Sequence, residues 1–359
     1  MHHFEKIARG LADQGLDAML LTGEANRFYA SGFHSAGTDG VALVTKEKAY
    51  YFTDSRYTEA AERCVRDAEI QEVGRGRWYP VLLEEAVKRH NIVRMGYEDA
   101  YMTVRDYESY RKALSCELVP AAEFLWRLRM VKDPEELEAM EGAQRIAEAA
   151  LEQILGEIRP GVTEKEIAAR LQYRMLHLGA SDMSFDPIVV SGANGSLPHG
   201  VPSEKTIQDG EFVTMDFGCV YRGYCSDMTR TFFCGEPKPE YAAIHDLVRQ
   251  ANEAAEAMIH PGVRLCDIDA AARDLITKAG YGEYFNHRLG HFIGQTDHEK
   301  GDVSAANTDT VKPGMIFSIE PGVYLPGKFG VRVEDLVIVT ETGCEVLNHV
   351  DKHWSVVGV

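Results

Sequence analysis

The sequence predicts two domains, an α/β layer domain at the amino terminus and an α+β domain with pseudo-twofold internal symmetry. Three observations predict this. Strand and helix patterns alternate through the first part, a capped long helix opens at Asp133, and the remainder repeats itself. At 359 residues the chain is long enough for each domain to bury its own core.

Residues 4–15 read as an amphipathic helix, and DAMLL (17–21) as a short strand. VALVT (41–45) and AYYFT (49–53) have the form of a hairpin, and RMGYE (94–98) that of a further strand. Helical stretches near 56–66 and 80–90 lie between them. The domain ends between Pro120 and Val131, which puts the expected domains at 1–131 and 132–359. The next helix starts at Asp133-Pro134-Glu135-Glu136: Asp133 caps, Pro134 fits the first helical position, and Glu136 closes a capping box. Leu137, Met140, Ala147, Leu151, Ile154 and Ile158 continue it at helical spacing.

The repeat is visible in two places. Pro160-Gly161-Val162 precedes the helical TEKEIAARLQYRML, and Pro261-Gly262-Val263, 101 residues later, precedes CDIDAAARDLITKA. Gly210-EFVTM-Asp216 matches Gly314-MIFSI-Glu320 at an offset of 104. Each copy therefore has an apolar strand that ends in a carboxylate, and a second carboxylate follows, Asp227 in one copy and Glu334 in the other. Packing the halves face to face brings four carboxylates to one seam. Like charges in a cleft repel, and burial raises their pKa values unless cations neutralise them. Two divalent ions would do so.

Composition narrows the alternatives. The formal net charge is −18, which argues against nucleic acid as a partner. MHHFEKIARG lacks the apolar stretch of a signal peptide, and no apolar run is long enough to span a bilayer, so no membrane partner is expected. Seven scattered cysteines with no CxxC pair point to reduced thiols in a cytoplasm.

Asp216 and Asp227 flank a glycine-containing turn, and a hairpin would set both on one side, although such pairs also occur without function. Glu320 ends an apolar strand, where an uncompensated carboxylate is costly. Glu334 interrupts a strand-like pattern. Asp335 could equally be the inward residue, and alternation does not choose between them. Arg332, two positions before Glu334, should share its face and steady a carboxylate. HRLGHFIGQTDHE holds His287, His291 and His298, and His199 follows the loop SGANGSLP. Carboxylates with an imidazole favour Mn²⁺ or Co²⁺. Such a pair would bridge a water, lower its pKa, and hold hydroxide against a carbonyl while a histidine stabilises the oxyanion. P-loop, GxGxxG, GxSxG and HExxH patterns are absent. Cys219 and Cys225, near this segment, read as small buried apolar residues.

These residues resemble the Xaa-Pro peptidases, prolidase and aminopeptidase P, which share the pita-bread fold with methionine aminopeptidase. The resemblance covers nearly the whole chain, including LLTGEANRFYASGF in the amino-terminal domain. It implies that Asp216 chelates one metal, that Asp227 and Glu334 bridge two, and that His291 and Glu320 complete the other shell. It further implies Glu320 as general acid or base, His199 and His298 as substrate-contacting catalytic residues, and Tyr224, Thr229 and Arg332 as supports behind the ligands. The implied cofactor is a pair of divalent ions, foremost Mn²⁺, with Co²⁺, Zn²⁺ or Fe²⁺ as alternatives. The implied substrates are small peptides with proline second, and the implied assembly is a homodimer. The family pattern HGxGHGxGLxxHE reads here HRLGHFIGQTDHE, so Arg288 and Phe292 replace small residues and Gln295 an apolar one. Phe292, with His287, is expected to shape the substrate pocket, which leaves a pita-bread hydrolase with a non-proline substrate as one alternative. A non-catalytic binding protein of the same fold is the other.

Overall fold

The structure, a computed structural model, describes residues 3–358 and divides into two compact units, Met1–Arg129 and Met130–Val359. In the first, α1 (Phe4–Gly10), β1 (Ala18–Leu21), α2 (Glu24–Ser31), β2 (Gly40–Thr45), β3 (Ala49–Thr53) and α3 (Thr58–Cys64) come first. They are followed by β4 (Glu69–Glu72), α4 (Tyr79–Arg89), β5 (Arg94–Tyr97), α5 (Val104–Ala113), β6 (Glu117–Pro120) and α6 (Ala122–Met130). The strands form one sheet in the order β4-β3-β2-β1-β5-β6, with β1, β2 and β3 antiparallel and the outer pairings parallel. Every residue of β1, β2 and β3 is buried, because helices cover both faces. Alternation then divides the strands between two cores: Met19, Leu21, Ala42, Val44 and Tyr51 face one, and Ala18, Leu20, Val41, Leu43, Tyr50 and Phe52 the other.

The first helix is shorter than its periodicity predicts. It stops at Gly10, which lies against the Phe124 ring so closely that a Cβ would come within 2.6 Å of it. The chain then turns to Gly15 (φ 63°), yet Leu11 and Leu16 remain buried, so the apolar pattern outlasts the helix. Ile158 is a similar case: α7 ends at Leu155, and Ile158 reaches the same core from the following loop.

The second unit opens with α7 (Pro134–Leu155), whose Asp133 cap accepts from the Glu136 amide while the Glu136 carboxylate accepts from the Asp133 amide. Then come α8 (Glu164–His177), β7 (Asp182–Met183), β8 (Ile188–Ser191), β9 (Glu211–Phe217), β10 (Cys219–Tyr221), β11 (Tyr224–Cys225) and β12 (Met228–Cys234). The second half has α9 (Pro239–Met258), α10 (Leu265–Lys278), β13 (Gly290–Phe292), β14 (Glu299–Val303), β15 (Ile316–Ile319), β16 (Gly322–Leu325) and β17 (Phe329–Arg332). It closes with β18 (Asp335–Val339), β19 (Cys344–Val346) and β20 (Val356–Val357). The two main sheets run β20-β12-β9-β8 and β14-β13-β15-β18-β19.

The duplication extends to individual hydrogen bonds. The Gly161 amide donates to Ile207 O at 3.0 Å and the Ile207 amide to Val162 O at 2.9 Å. Gly262 and Val311, with Val263, repeat both bonds at the same lengths, and Gly161 and Gly262 both have φ 90°. Each half packs a helix pair on its own sheet, with Ala147, Leu151, Ile167 and Leu171 in one core and Val248, Ala251, Ile268 and Ala272 in the other. The sheet faces turned away from the helices are thus free to carry polar side chains.

A candidate metal centre

Strand alternation aims the acidic side chains. On β9, Met215 and Phe217 enter the core beneath α7 and α8, so Asp216 between them points the other way. Antiparallel pairing sets Phe217 opposite Met228, and Asp227 immediately precedes that residue. In the second half Phe317 and Ile319 enter the core and Glu320 follows. Val331 and Val333 also enter it, which turns Arg332 and Glu334 to the opposite side. Asp335 is fully buried elsewhere, paired with Arg230 and with Lys352 at 2.7 Å each. Glu334, not Asp335, is therefore the residue in the cleft. His291 is held by its amide, which donates to Ser318 Oγ at 3.0 Å. Its neighbour must be glycine, since a Cβ on Gly290 would lie 1.8 Å from Ser318 O.

Asp216, Asp227, His291, Glu320 and Glu334 all line one cavity of about 460 Å³. His291 Nε2 stands 3.4 Å from Asp227 Oδ2 and 3.6 Å from Glu320 Oε1. Ligand-type atoms of Asp227, His291 and Glu334 lie within 4.8 Å of one another. Arg332 ties the cluster together: Nη2 donates to Asp216 Oδ2, Nε to Thr229 Oγ1 at 2.9 Å, and Nη1 to the Tyr324 hydroxyl at 2.8 Å. The Thr229 hydroxyl in turn donates a hydrogen bond to Glu334 Oε2 at 2.6 Å.

One arginine does not balance this charge. Burial first, and then Glu334 and Asp216, hold the Asp227 carboxyl well above the usual range. Burial, Glu320 and Asp216 do the same to Glu334. Burial pushes Glu320 up to about 8 against the pull of Arg332, while burial and the nearby His298 drive His291 well below an ordinary imidazole. Asp216 Oδ1 and Asp227 Oδ1 are buried with no hydrogen-bond donor among the described residues. Such oxygens are costly unless a cation meets them, and four carboxylates with a neutral imidazole form a donor set for hard or borderline divalent ions.

The remaining predicted residues fall into different places. His298 is half-exposed and meets His291 edge-on at 4.0 Å, and His199 is exposed at the cavity wall. The loop bearing His199 is anchored by Glu164. This fully buried carboxylate accepts from the Ser191 amide (2.7 Å) and hydroxyl (2.9 Å), from Asn194 Nδ2 (3.1 Å) and from the Ser203 hydroxyl (2.7 Å). His287 lines the cavity and bonds Tyr324 Oη at 3.0 Å, and burial lowers its pKa to about 4. Tyr224 donates instead to Glu136 Oε1 at 2.8 Å and accepts from Gln295 Nε2 at 3.2 Å. Phe292 does not line the cavity: it is wholly buried in the core of the second half, against Phe317.

One cavity residue, Asp297, and one residue behind the wall, Tyr324, were not anticipated. Asp297, beside His298, is pushed up to about 6 by burial and by Asp216. Its position inside the histidine-rich segment was an available signal. Tyr324 joins His287 to Arg332 from the hairpin of β16 and β17, and nothing in GVYL announces that.

Residues 138–341 match metallopeptidase family M24, and residues 4–131 match the creatinase/prolidase N-terminal domain. The chain belongs to metallopeptidase family M24. It is 40% identical over 349 residues to an uncharacterized peptidase of Bacillus subtilis, covering 97% of this chain and 98% of that one. An Xaa-Pro dipeptidase from Bacillus anthracis has a TM-score of 0.93 at 39% identity, with 99% of each chain covered. An X-Pro aminopeptidase from Thermotoga maritima has a TM-score of 0.92 at 35% identity, covering 98% of this chain and 100% of that one. As an M24 enzyme with the pita-bread catalytic domain, the protein is a metallopeptidase that uses divalent ions.

Proposed function

We propose that this M24 peptidase hydrolyses the bond preceding proline in small peptides, with two divalent ions, foremost Mn²⁺, held by Asp216, Asp227, His291, Glu320 and Glu334. The convergence of these side chains in one cleft, with two orphaned aspartate oxygens, carries the reading. Ions bound there would supply Lewis acidity and a more acidic water.

The protein's own groups do the rest. Glu320, the least buried of the four carboxylates, takes a proton from the attacking water and returns it to the leaving proline nitrogen. His199 and His298 sit on the cavity wall, where they can donate to the oxyanion as it develops. Arg332 fixes Asp216 and, through Thr229, Glu334. Phe185, Pro187, Ile188, Pro198, Val201 and Pro202 form an apolar stretch of wall suited to a proline ring.

The test is to strip metal with a chelator, restore Mn²⁺, and assay Ala-Pro beside Ala-Pro-Ala and a proline-free control such as Ala-Ala. Mn²⁺-dependent cleavage confined to the proline peptides is expected, with Glu320→Gln losing at least about a hundredfold in kcat. Cleavage of Ala-Ala at an equal rate, or full activity in Glu320→Gln, would contradict the proposal.

A further inference from the structure

The cavity has two arginines in its wall, and they are in opposite situations. Arg332 is fully occupied: its guanidinium serves Asp216, Thr229, Tyr324 and Pro198 O. Arg288 faces the same cavity, yet among the described residues no carboxylate lies within ion-pair distance of it and no acceptor takes its guanidinium protons. Its charge nevertheless reaches the site, since it lowers the pKa of His291, His298, Asp297 and Glu320. A fork of five donors that is only half-buried, and that turns toward a cleft without bonding the acids there, is placed for an anion that arrives with the substrate.

A peptide substrate has one obligatory anion, its terminal carboxylate. In a dipeptide that group is attached directly to the residue beyond the scissile bond, so it must lie inside a cavity of about 460 Å³. In a longer peptide it lies one or more residues further away. We infer that Arg288 is a specificity-determining residue that pairs with the terminal carboxylate of a dipeptide, making dipeptides the preferred substrates of this site. The inference rests on the Xaa-Pro reading and deepens it. A planar guanidinium can meet the carboxylate through two parallel hydrogen bonds, which lysine cannot reproduce.

The experiment uses the Mn²⁺-loaded enzyme and compares Ala-Pro with its amide, Ala-Pro-NH₂, in which only the terminal charge is removed. The wild type should show a KM for Ala-Pro about tenfold to a hundredfold below that for the amide. Arg288→Met should bring the KM values for Ala-Pro and its amide together, whatever it does to kcat for both peptides, and Arg288→Lys should recover part of the difference. Equal KM values for acid and amide in the wild type would overturn the inference without touching the peptidase reading, as would an Arg288→Met enzyme that keeps the preference. Cleavage of neither peptide by metal-loaded wild type would overturn the peptidase reading itself, and this inference with it.

Discussion

Arg332 joins the two halves of the catalytic domain by donating to Asp216, on the first half's strand β9, from strand β17 of the second. Both side chains are almost wholly buried, so the pair is shielded from solvent and salt. Removing the cation leaves Asp216 among three other carboxylates. Arg332→Met should therefore cost the metal-free protein about 3–5 kcal/mol, and less once Mn²⁺ replaces the missing charge. Thermal unfolding with and without Mn²⁺ measures the difference. Equal losses in both states would show that Arg332 acts by packing alone.

Glu164 holds the loop of His199 without lining the cavity. Glu164→Gln keeps the shape but accepts fewer hydrogen bonds and puts an amide donor opposite the Ser191 amide. The expected outcome is a fall of about tenfold in kcat, with Mn²⁺ binding unchanged. Isothermal titration beside steady-state kinetics separates the two. A matching loss of metal affinity would mean that the loop supports the ligands as well.

Phe292 belongs to the core, so its truncation is a stability change. Phe292→Ala should cost about 3–5 kcal/mol and leave the KM for Ala-Pro unaltered wherever the protein remains folded. Denaturant unfolding and kinetics at low temperature test this together. A large KM change in a fully folded variant would return Phe292 to the substrate pocket.

His245, buried on α9, has its pKa lowered from 6.5 to about 4 by burial. Between those values the unfolded chain binds a proton that the folded chain does not. Stability contributed by neutral His245 is therefore complete above about pH 6.5 and is lost as pH falls toward 4. His245→Leu should lose less stability than wild type between pH 7 and pH 5, the difference being on the order of 2 kcal/mol. Parallel pH profiles for the two proteins would show that His245 is not the sensor.

Local chemistry made much of the fold legible before any packing was known. The Asp133 cap, the twin Pro-Gly-Val turns and the glycines at 210 and 314 each specify backbone geometry through their own side chains, or through the lack of one. The duplicated strand-plus-carboxylate pattern likewise predicted that acids from both halves would meet, because a strand with one buried face must aim its alternate residues at the other. What the sequence did not decide is which of two adjacent acids faces the cleft. Glu334 lines it because Val331 and Val333 fill the core, while Asp335 is drawn to Arg230 and Lys352, residues 105 positions before it and 17 after. Nor did it decide that Phe292 lies outside the pocket, that Asp297 lies inside it, or that Arg288 lacks an acidic partner while Arg332 has one. Each of these depends on contacts between segments far apart in the chain, and the free energy of such contacts exists only once the tertiary structure has brought them together.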